Sequence, residues 1–413
     1  MKRVFLRSVR DPWLFYTSLL LTLIGLFAIG DSGFARSIAD GKGTVPREFW
    51  TQLFLMGISA IAFLACASVG EKSWRRWAII AGLASLIGVV LVAVPGFSSA
   101  EGGSHRWLKL IPIQPAEFAK VGCIVYLAGV FAGRSPWPRF KRIRTFGLWL
   151  DNIAFPKIGR AMPAIIVATI CILVAMEPDL GTACVIAVSA FAIFCCGGVT
   201  QKSIIAMLVI GGVGTALLVR FQPYRMDRLT SHSRRWEPEY IDSVGFQTVT
   251  SEIHQASGGL TGQGIGMGHA KYLIPAPTTD FIMATIGEET GLVGSLTVLL
   301  LELILVLRLL GLAGEAKTKF AHLFFVGFAC WIGVQTCTNM MMANGALPAI
   351  GIPLPFVSYG GSSLLALWMA VGICQSLSRS NHLREVAEPV LDRNGGRDRR
   401  ARLPGYRSRQ ARG

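Results

Sequence analysis

Charge is scarce in this chain. Only 15% of its 413 residues are Asp, Glu, Lys or Arg, against about 25% in an average soluble protein. Apolar residues make up 52% and gather in runs of roughly 17–25, the length that crosses a bilayer. A water-soluble globular domain is thereby excluded. Cysteine pairs of the CxxC type are missing as well. All nine cysteines (Cys66, Cys123, Cys171, Cys184, Cys195, Cys196, Cys330, Cys337 and Cys374) fall inside apolar runs. They read as small packing residues, which excludes a disulfide framework or a zinc site. Nor is a cleavable signal peptide expected. The first apolar run is too long for a signal h-region and lacks a small-residue cleavage site, so it reads as a signal anchor. Finally, no internal repeat is evident.

What is present is an all-α polytopic membrane pattern of about ten spans. They are expected near 13–30, 49–69, 77–97, 116–133, 161–176, 181–199, 203–220, 281–310, 320–343 and 362–378. The boundary between the sixth and seventh rests on Thr200, Gln201 and Lys202 alone. Residues 1–12 form an amino-terminal segment, 13–378 the membrane domain and 379–413 a basic tail that reads as disordered.

Lys2, Arg3, Arg7, Arg10, Lys72, Arg75, Arg76, the cluster from Arg134 to Arg160 and the tail arginines fall on one side if both termini are cytoplasmic. The net charge of +16 then reads as positive-inside loops facing anionic lipid, each basic residue contributing about 1 kcal/mol near the surface, and no nucleic-acid partner is expected.

One loop dominates the opposite side, from Phe221 to Thr279, between helices 7 and 8. Structureless loops of more than about 12–15 residues are uncommon unless functional. Within it, Phe246, Val249, Ile253 and Ala256 recur at helical spacing, with Gln247, Ser251 and Glu252 toward another face and Gly258-Gly259 as the stop. This predicts a short amphipathic helix at the membrane surface or closing the mouth of the bundle. Gly262-Gln263-Gly264-Ile265-Gly266-Met267-Gly268 follows. It is not a dinucleotide fingerprint, because no strand precedes it. A phosphate cradle and plain flexibility both remain open.

Asp280 sits where that loop meets the eighth span, with Glu288 and Glu289 about two turns deeper. A charge at the centre of a membrane helix costs about 2.5–3.5 kcal/mol even on the lenient scale, so three acids at one edge point to a protein-lined, hydrated site. Taken alone, Asp280 also suits an N-cap, and Glu288 and Glu289 suit bonds to neighbouring helices or loop backbone. Arg106 and Trp107 precede Gln114-Pro115-Ala116-Glu117-Phe118-Ala119-Lys120, in which Glu117 and Lys120 share a helix face. That pair can be a structural ion pair or catalytic. Arg106 can grip a phosphate, and Trp107 can anchor at the interface. Glu177 and Asp179 flank a proline and read as turn and packing residues. In Gly351 to Ser363, two prolines and Gly360-Gly361 disfavour a regular helix. Such backbone at membrane depth needs protein or a wet cavity beside it. Ser362 and Ser363 can cap the last span, whose amino end attracts anions.

Together these segments, with Glu177-Pro178-Asp179-Leu180-Gly181-Thr182, Ser257-Gly258-Gly259-Leu260, Thr279-Asp280-Phe281-Ile282, Gly287-Glu288-Glu289 and Pro353-Leu354-Pro355-Phe356-Val357-Ser358-Tyr359-Gly360-Gly361-Ser362-Ser363, resemble the SEDS family. These are the peptidoglycan polymerases typified by FtsW, RodA and SpoVE. The chain departs from the family pattern at Ala276, Thr250, Met283 and Ala116, where Glu, Gln, Phe and Ser are usual.

The resemblance implies a ten-helix fold in the bacterial inner membrane, with glycosyl transfer on lipid II at the outer face and undecaprenyl pyrophosphate released. It implies a class B penicillin-binding protein and other divisome or elongasome proteins as partners. Arg228-Leu229-Thr230-Ser231, Glu177-Pro178-Asp179 and Gly287-Glu288-Glu289 look more like the division type. By the same resemblance Asp280 is the general base and Glu117 and Lys120 complete the catalytic set. Arg106, Trp107, Gln247, Ser251, Ser358, Gly360, Gly361 and Ser362 contact substrate. Asp280 or Glu117 is the candidate ligand of a divalent cation, Mg2+ or Mn2+, and no organic cofactor is expected. The competing readings are a lipid II flippase and a non-catalytic scaffold of the cell-wall machinery. Clustering of the motifs on one face favours the enzyme.

Overall fold

The computed structural model describes residues 9–400, apart from 40, 42, 44, 95, 102–103, 110–112, 134–154, 178, 242–244 and 276. The arginine-rich fourth-fifth loop and Ala276 thus lie outside the described residues. Each expected span has a helix in its place: α1 (Pro12–Ala39), α2 (Arg47–Ser68), α3 (Glu71–Ala93), α4 (Pro115–Ala132), α5 (Phe155–Met176), α6 (Leu180–Cys196) and α7 (Gln201–Arg220) before the long loop. Four short helices fill that loop, α8 (Pro223–Ser233), α9 (Pro238–Ile241), α10 (Phe246–Ser257) and α11 (Ala270–Leu273). Then come α12 (Ile282–Gly314), α13 (Lys319–Ala343) and α14 (Gly361–Arg400). Among the described residues, seven helices are long and apolar enough to cross a bilayer, and Ala161–Met176, Leu180–Cys196 and Gln201–Leu217 are shorter apolar ones in the same series.

The uncertain boundary at Thr200 is a helix start, because the Thr200 hydroxyl accepts the Ser203 amide and caps α7. The segment read as a disordered tail begins as a continuation of α14 as far as Arg400. A small antiparallel hairpin, β1 (Ser98–Glu101) and β2 (Ser104–Leu108), interrupts the helices, and alternation gave no sign of it.

Helix α13 is the hub. It packs against α12, α6 and α4, while α2 lies along α14 and α3 along α4. Phe320, Phe324, Phe325, Phe328 and Trp331 of α13 are fully buried. Large apolar side chains such as Ile79, Ile80 and Ile210 face outward, as expected where lipid rather than water is the solvent. Four of the cysteines, Cys184, Cys195, Cys196 and Cys337, also face outward, which corrects their reading as packing residues; Cys66, Cys123 and Cys374 are buried as expected.

Helix α12 is broken at Gly291, where φ is +67° and ψ −162°. The backbone groups released by the break pair with the loop. Leu292 and Val293 donate to the carbonyls of Gly259 and Leu260, and Gln263 and Gly264 donate to those of Glu288 and Glu289. A β-carbon on Gly291 would sit 2.6 Å from the Leu260 carbonyl. Gly291→Ala is therefore expected to cost at least about 1–3 kcal/mol for the backbone conformation alone. A lower unfolding temperature and faster proteolysis within 258–264 would register it.

The glycine run beside the break is neither a phosphate cradle nor a slack linker. The Gly266 and Gly268 amides each donate to Glu289 at 3.1 Å. Glu288 accepts the Ala270 amide at 2.7 Å and meets His254 Nδ1 at 2.8 Å. Lys271 completes the cluster, 2.8 Å from Glu289 and 3.0 Å from Asp31 of α1. Burial pulls the Lys271 ammonium down, but its bonds to Glu289 and Asp31 outweigh that and leave it above the ordinary lysine range. Glu288 and Glu289 thus fasten the loop to the bundle.

Candidate active site

Asp280 lies in the turn that leads into α12, and Phe281, not Asp280, holds the cap position. None of the described residues hydrogen-bonds its carboxylate. The capping role that its position suggests is therefore not used. Its backbone carbonyl is held instead, by Asn339 Nδ2 of α13 at 2.9 Å, and the same amide reaches the Ile352 carbonyl at 2.7 Å. Gly351, with φ +78°, brings its Cα so close that a β-carbon would stand 3.4 Å from Asp280 Oδ2. Burial, with help from Asp179, pushes the Asp280 carboxyl up to about 6, against the opposing pull of Arg106 and Arg228.

Three elements bring those neighbours together. Arg106 comes from β2, and its Nε donates to the Glu177 carbonyl at 3.1 Å. Asp179 caps α6 by accepting the Thr182 amide at 3.0 Å, and its other oxygen accepts Gln114 Nε2 at 3.0 Å. Arg228 comes from α8 and donates to the Ala349 carbonyl. Arg225, one turn earlier, reaches the Ala175 carbonyl at 2.5 Å. Trp107 follows Arg106 on β2, opposite Ser99.

Glu117 and Lys120 form the expected pair on the first turns of α4, 2.8 Å apart and only 3% and 2% exposed. The ammonium is enclosed on every side. It donates to Gln335 Oε1 at 3.0 Å and lies 5.3 Å above the Trp331 ring. Trp331 Nε1 donates to the same Gln335 oxygen at 2.7 Å, and Gln335 Nε2 donates to the Pro353 carbonyl at 2.8 Å. Gln335 and Asn339 are four apart on α13 and share one face. That face therefore ties the ion pair and the Asp280 turn to the same irregular segment, 351–357.

The remaining expected site residues mostly brace this framework. Ser358 Oγ donates to the Thr279 carbonyl at 2.6 Å and accepts the Leu354 amide at 2.8 Å. Ser362 accepts the Gln114 amide at 3.0 Å rather than capping α14. The Gly360 amide points to Gln52 at 3.5 Å, and Gly361 packs against Leu55. Ser251 is fully buried and donates to the Ala343 carbonyl at 2.6 Å, so it seats α10 on the end of α13. Gln247 is half-buried in the first turn of α10. Ser358→Ala would strip the buried Leu354 amide of its partner, a cost of about 1–3 kcal/mol. It is expected to lower both the unfolding temperature and, through the Thr279–Asp280 turn, the turnover rate by a few fold.

Of the two candidate cation ligands, the Asp280 carboxylate is free and Glu117 is not. Glu117 already holds an ammonium, and its second oxygen is buried without a partner. No three His, Cys, Asp or Glu side chains gather as a ligand set among the described residues. A cavity of about 190 Å³ between α1 and α12 reaches Asp31 and Glu289 and is walled by Ile24, Phe27 and Val298. It belongs to the loop anchor and not to Asp280.

Four functional positions escaped the sequence reading. Gln335 and Asn339 carried a usable signal, since amides four apart inside an apolar span are seldom idle. Arg228 was read only as part of a division-type segment, and Arg225 carried no signal, because only the fold of α8 turns them toward the bundle.

Similarity to known proteins follows the same lines. A family described as cell cycle protein, FtsW/RodA/SpoVE, matches residues 12–383. The probable peptidoglycan glycosyltransferase FtsW of Allochromatium vinosum is 32% identical over 375 residues, covering 88% of this chain and 90% of that one. The stage V sporulation protein E of Bacillus subtilis is 33% identical, covering 89% and 97%. Among solved structures, a peptidoglycan synthase complex that coordinates polymerization and crosslinking contains a chain with TM-score 0.68 and 25% identity, covering 90% of this chain and 98% of that one. The rod shape determining protein RodA of Thermus thermophilus matches in fold at TM-score 0.62 and 24% identity, covering 90% and 97%.

Proposed function

The chain belongs to the FtsW/RodA/SpoVE family of cell cycle proteins, and from that premise we propose that it polymerises lipid II into glycan strands at the outer face of the bacterial inner membrane. The observation that carries the reading to a residue is the Asp280 carboxylate. It is half-buried, uncapped and unbonded, and burial and Asp179 raise its pKa against the pull of two arginines. Division rather than elongation is the assigned process, from the Arg228–Ser231, Glu177–Asp179 and Gly287–Glu289 segments. A class B penicillin-binding protein is the proposed partner, supported by the match to a complex that couples polymerization to crosslinking.

In the proposed reaction the GlcNAc 4-hydroxyl of lipid II attacks the anomeric carbon of the growing chain's MurNAc. The hydroxyl proton passes to Asp280, the C–O bond to the pyrophosphate breaks, and undecaprenyl pyrophosphate leaves with the electron pair. A base held near the working pH typically contributes about 10²–10⁴-fold. A carboxyl at about 6 is ionised at neutral pH yet basic enough to accept the proton. In this reading Arg106 and Arg228, the two cations that act on Asp280, supply positive charge to the leaving pyrophosphate. Lys120 acts one layer back. Glu117 orients it, and through Gln335 it fixes the Pro353 segment against which Asp280 rests.

Glycan polymerisation is the test. The purified chain, with a candidate class B partner and Mg2+ or Mn2+, is given lipid II, and the product is resolved on a gel. Polymer that persists when the partner's transpeptidase is blocked by penicillin supports the reading. No polymer, where another family member works in the same assay, overturns it. Lipid II crossing vesicles without polymer would favour the flippase instead.

A further inference from the structure

Glu177 closes α5 at the corner where Arg106 and Asp179 meet. Its side chain is 6% exposed, and both carboxyl oxygens are enclosed with no hydrogen-bond partner. Its own carbonyl and that of Ala175 are the ones that Arg106 and Arg225 bind. An unpaired carboxylate removed from water is very costly, and the group neutralises instead. The neutral acid carries one O–H donor, and that donor has nothing to bond.

We propose that Glu177 is a proton-bearing acid at the edge of this site that, once the side chains enclosing it part, donates a hydrogen bond to a phosphate oxygen of the departing undecaprenyl pyrophosphate. The inference rests on the polymerase reading and adds a residue to it. No bond of Glu177 breaks, and its proton stays on the carboxyl. The charged groups that act on it are Asp179 on the same turn and Arg106 from β2, and Arg225 of α8 holds the nearby Ala175 carbonyl. Burial, with Asp179 adding and Arg106 opposing, pushes the Glu177 carboxyl up to about 8. The donor is therefore present below that pH and lost above it. An anion bound beside it holds the proton more firmly still.

Undecaprenyl pyrophosphate in detergent micelles, titrated into the full chain at pH 7 and pH 9.5, is the probe. Wild type is expected to bind roughly tenfold more weakly at pH 9.5, the size of one hydrogen bond to a charged acceptor. Glu177→Ala is expected to bind roughly tenfold more weakly at pH 7, with no further loss at pH 9.5. Glu177→Gln, whose amide still donates, recovers most of the affinity at pH 7 and keeps it at pH 9.5. Wild-type binding that is absent or independent of pH, or a Glu177→Gln variant that keeps the wild-type fall, overturns the proposal and leaves the two oxygens to an ordered water. Because the readout is binding, a chain that shows this pH dependence yet makes no polymer would remove the polymerase reading and leave Glu177 as part of a pyrophosphate-binding site alone.

Discussion

Asp280→Asn is expected to abolish glycan polymerisation, by at least about 100-fold in turnover, which is the lower end of what a positioned general base contributes. The substitution keeps the shape of the side chain and removes only its ability to take a proton. Since no described residue bonds that carboxylate, nothing in the fold depends on it. The folded state raises the Asp280 pKa above its unfolded value. Its contribution to stability is therefore greatest at low pH and is lost as pH rises from about 4 through about 6. At neutral pH the carboxylate burdens the fold, and Asn relieves it. The Asp280→Asn protein should thus unfold at the same temperature as wild type or higher while polymerising at least about 100-fold more slowly. Wild-type activity should rise with pH through about 6, as the base ionises, and the residual activity of the variant should lack that limb. Polymer at wild-type rate from Asp280→Asn would remove Asp280 from the mechanism.

Lys120→Met is expected to give the largest loss of stability of any substitution considered, about 3–5 kcal/mol. Glu117 and Lys120 are both enclosed, and removing one partner strands the other's charge in a medium that cannot solvate it. The Glu117→Gln, Lys120→Met double variant should recover part of that loss, because no charge is then left behind. The recovery is readable as a coupling energy in a double-mutant cycle followed by thermal unfolding in detergent. Gln335 would still lose its ammonium donor, so recovery should be incomplete, and polymerisation should stay low even in the stable double variant. Full recovery of both would make the pair a plain ion pair with no bearing on the Pro353 segment.

Much of this protein was open to reading from the chain. Apolar runs of membrane length placed ten helices because a segment in lipid must satisfy its own backbone, and only a helix does so within one run. The loop helix at Phe246–Ser257 followed from its apolar spacing and from the Gly258-Gly259 stop. The Glu117–Lys120 pair followed from a separation of three on a helix. Each of these is a local property, fixed by residues within a few turns of one another.

The rest was decided by contacts between segments far apart in the chain. The free Asp280 carboxylate depends on Phe281 taking the cap and on Asn339, some sixty residues away, holding the backbone. The glycine run faces Glu289 because α12 breaks at Gly291 and lays its open backbone on the loop. Arg106, Arg228 and Asp179 meet Asp280 from three other elements, and Lys120 is caged by Gln335 and Trp331 of α13. Sequence set which side chains were available and at which edge of the membrane. Only the packed bundle, by excluding water and choosing each group's neighbours, decided which acid is left unbonded, which is enclosed and which is simply a bolt.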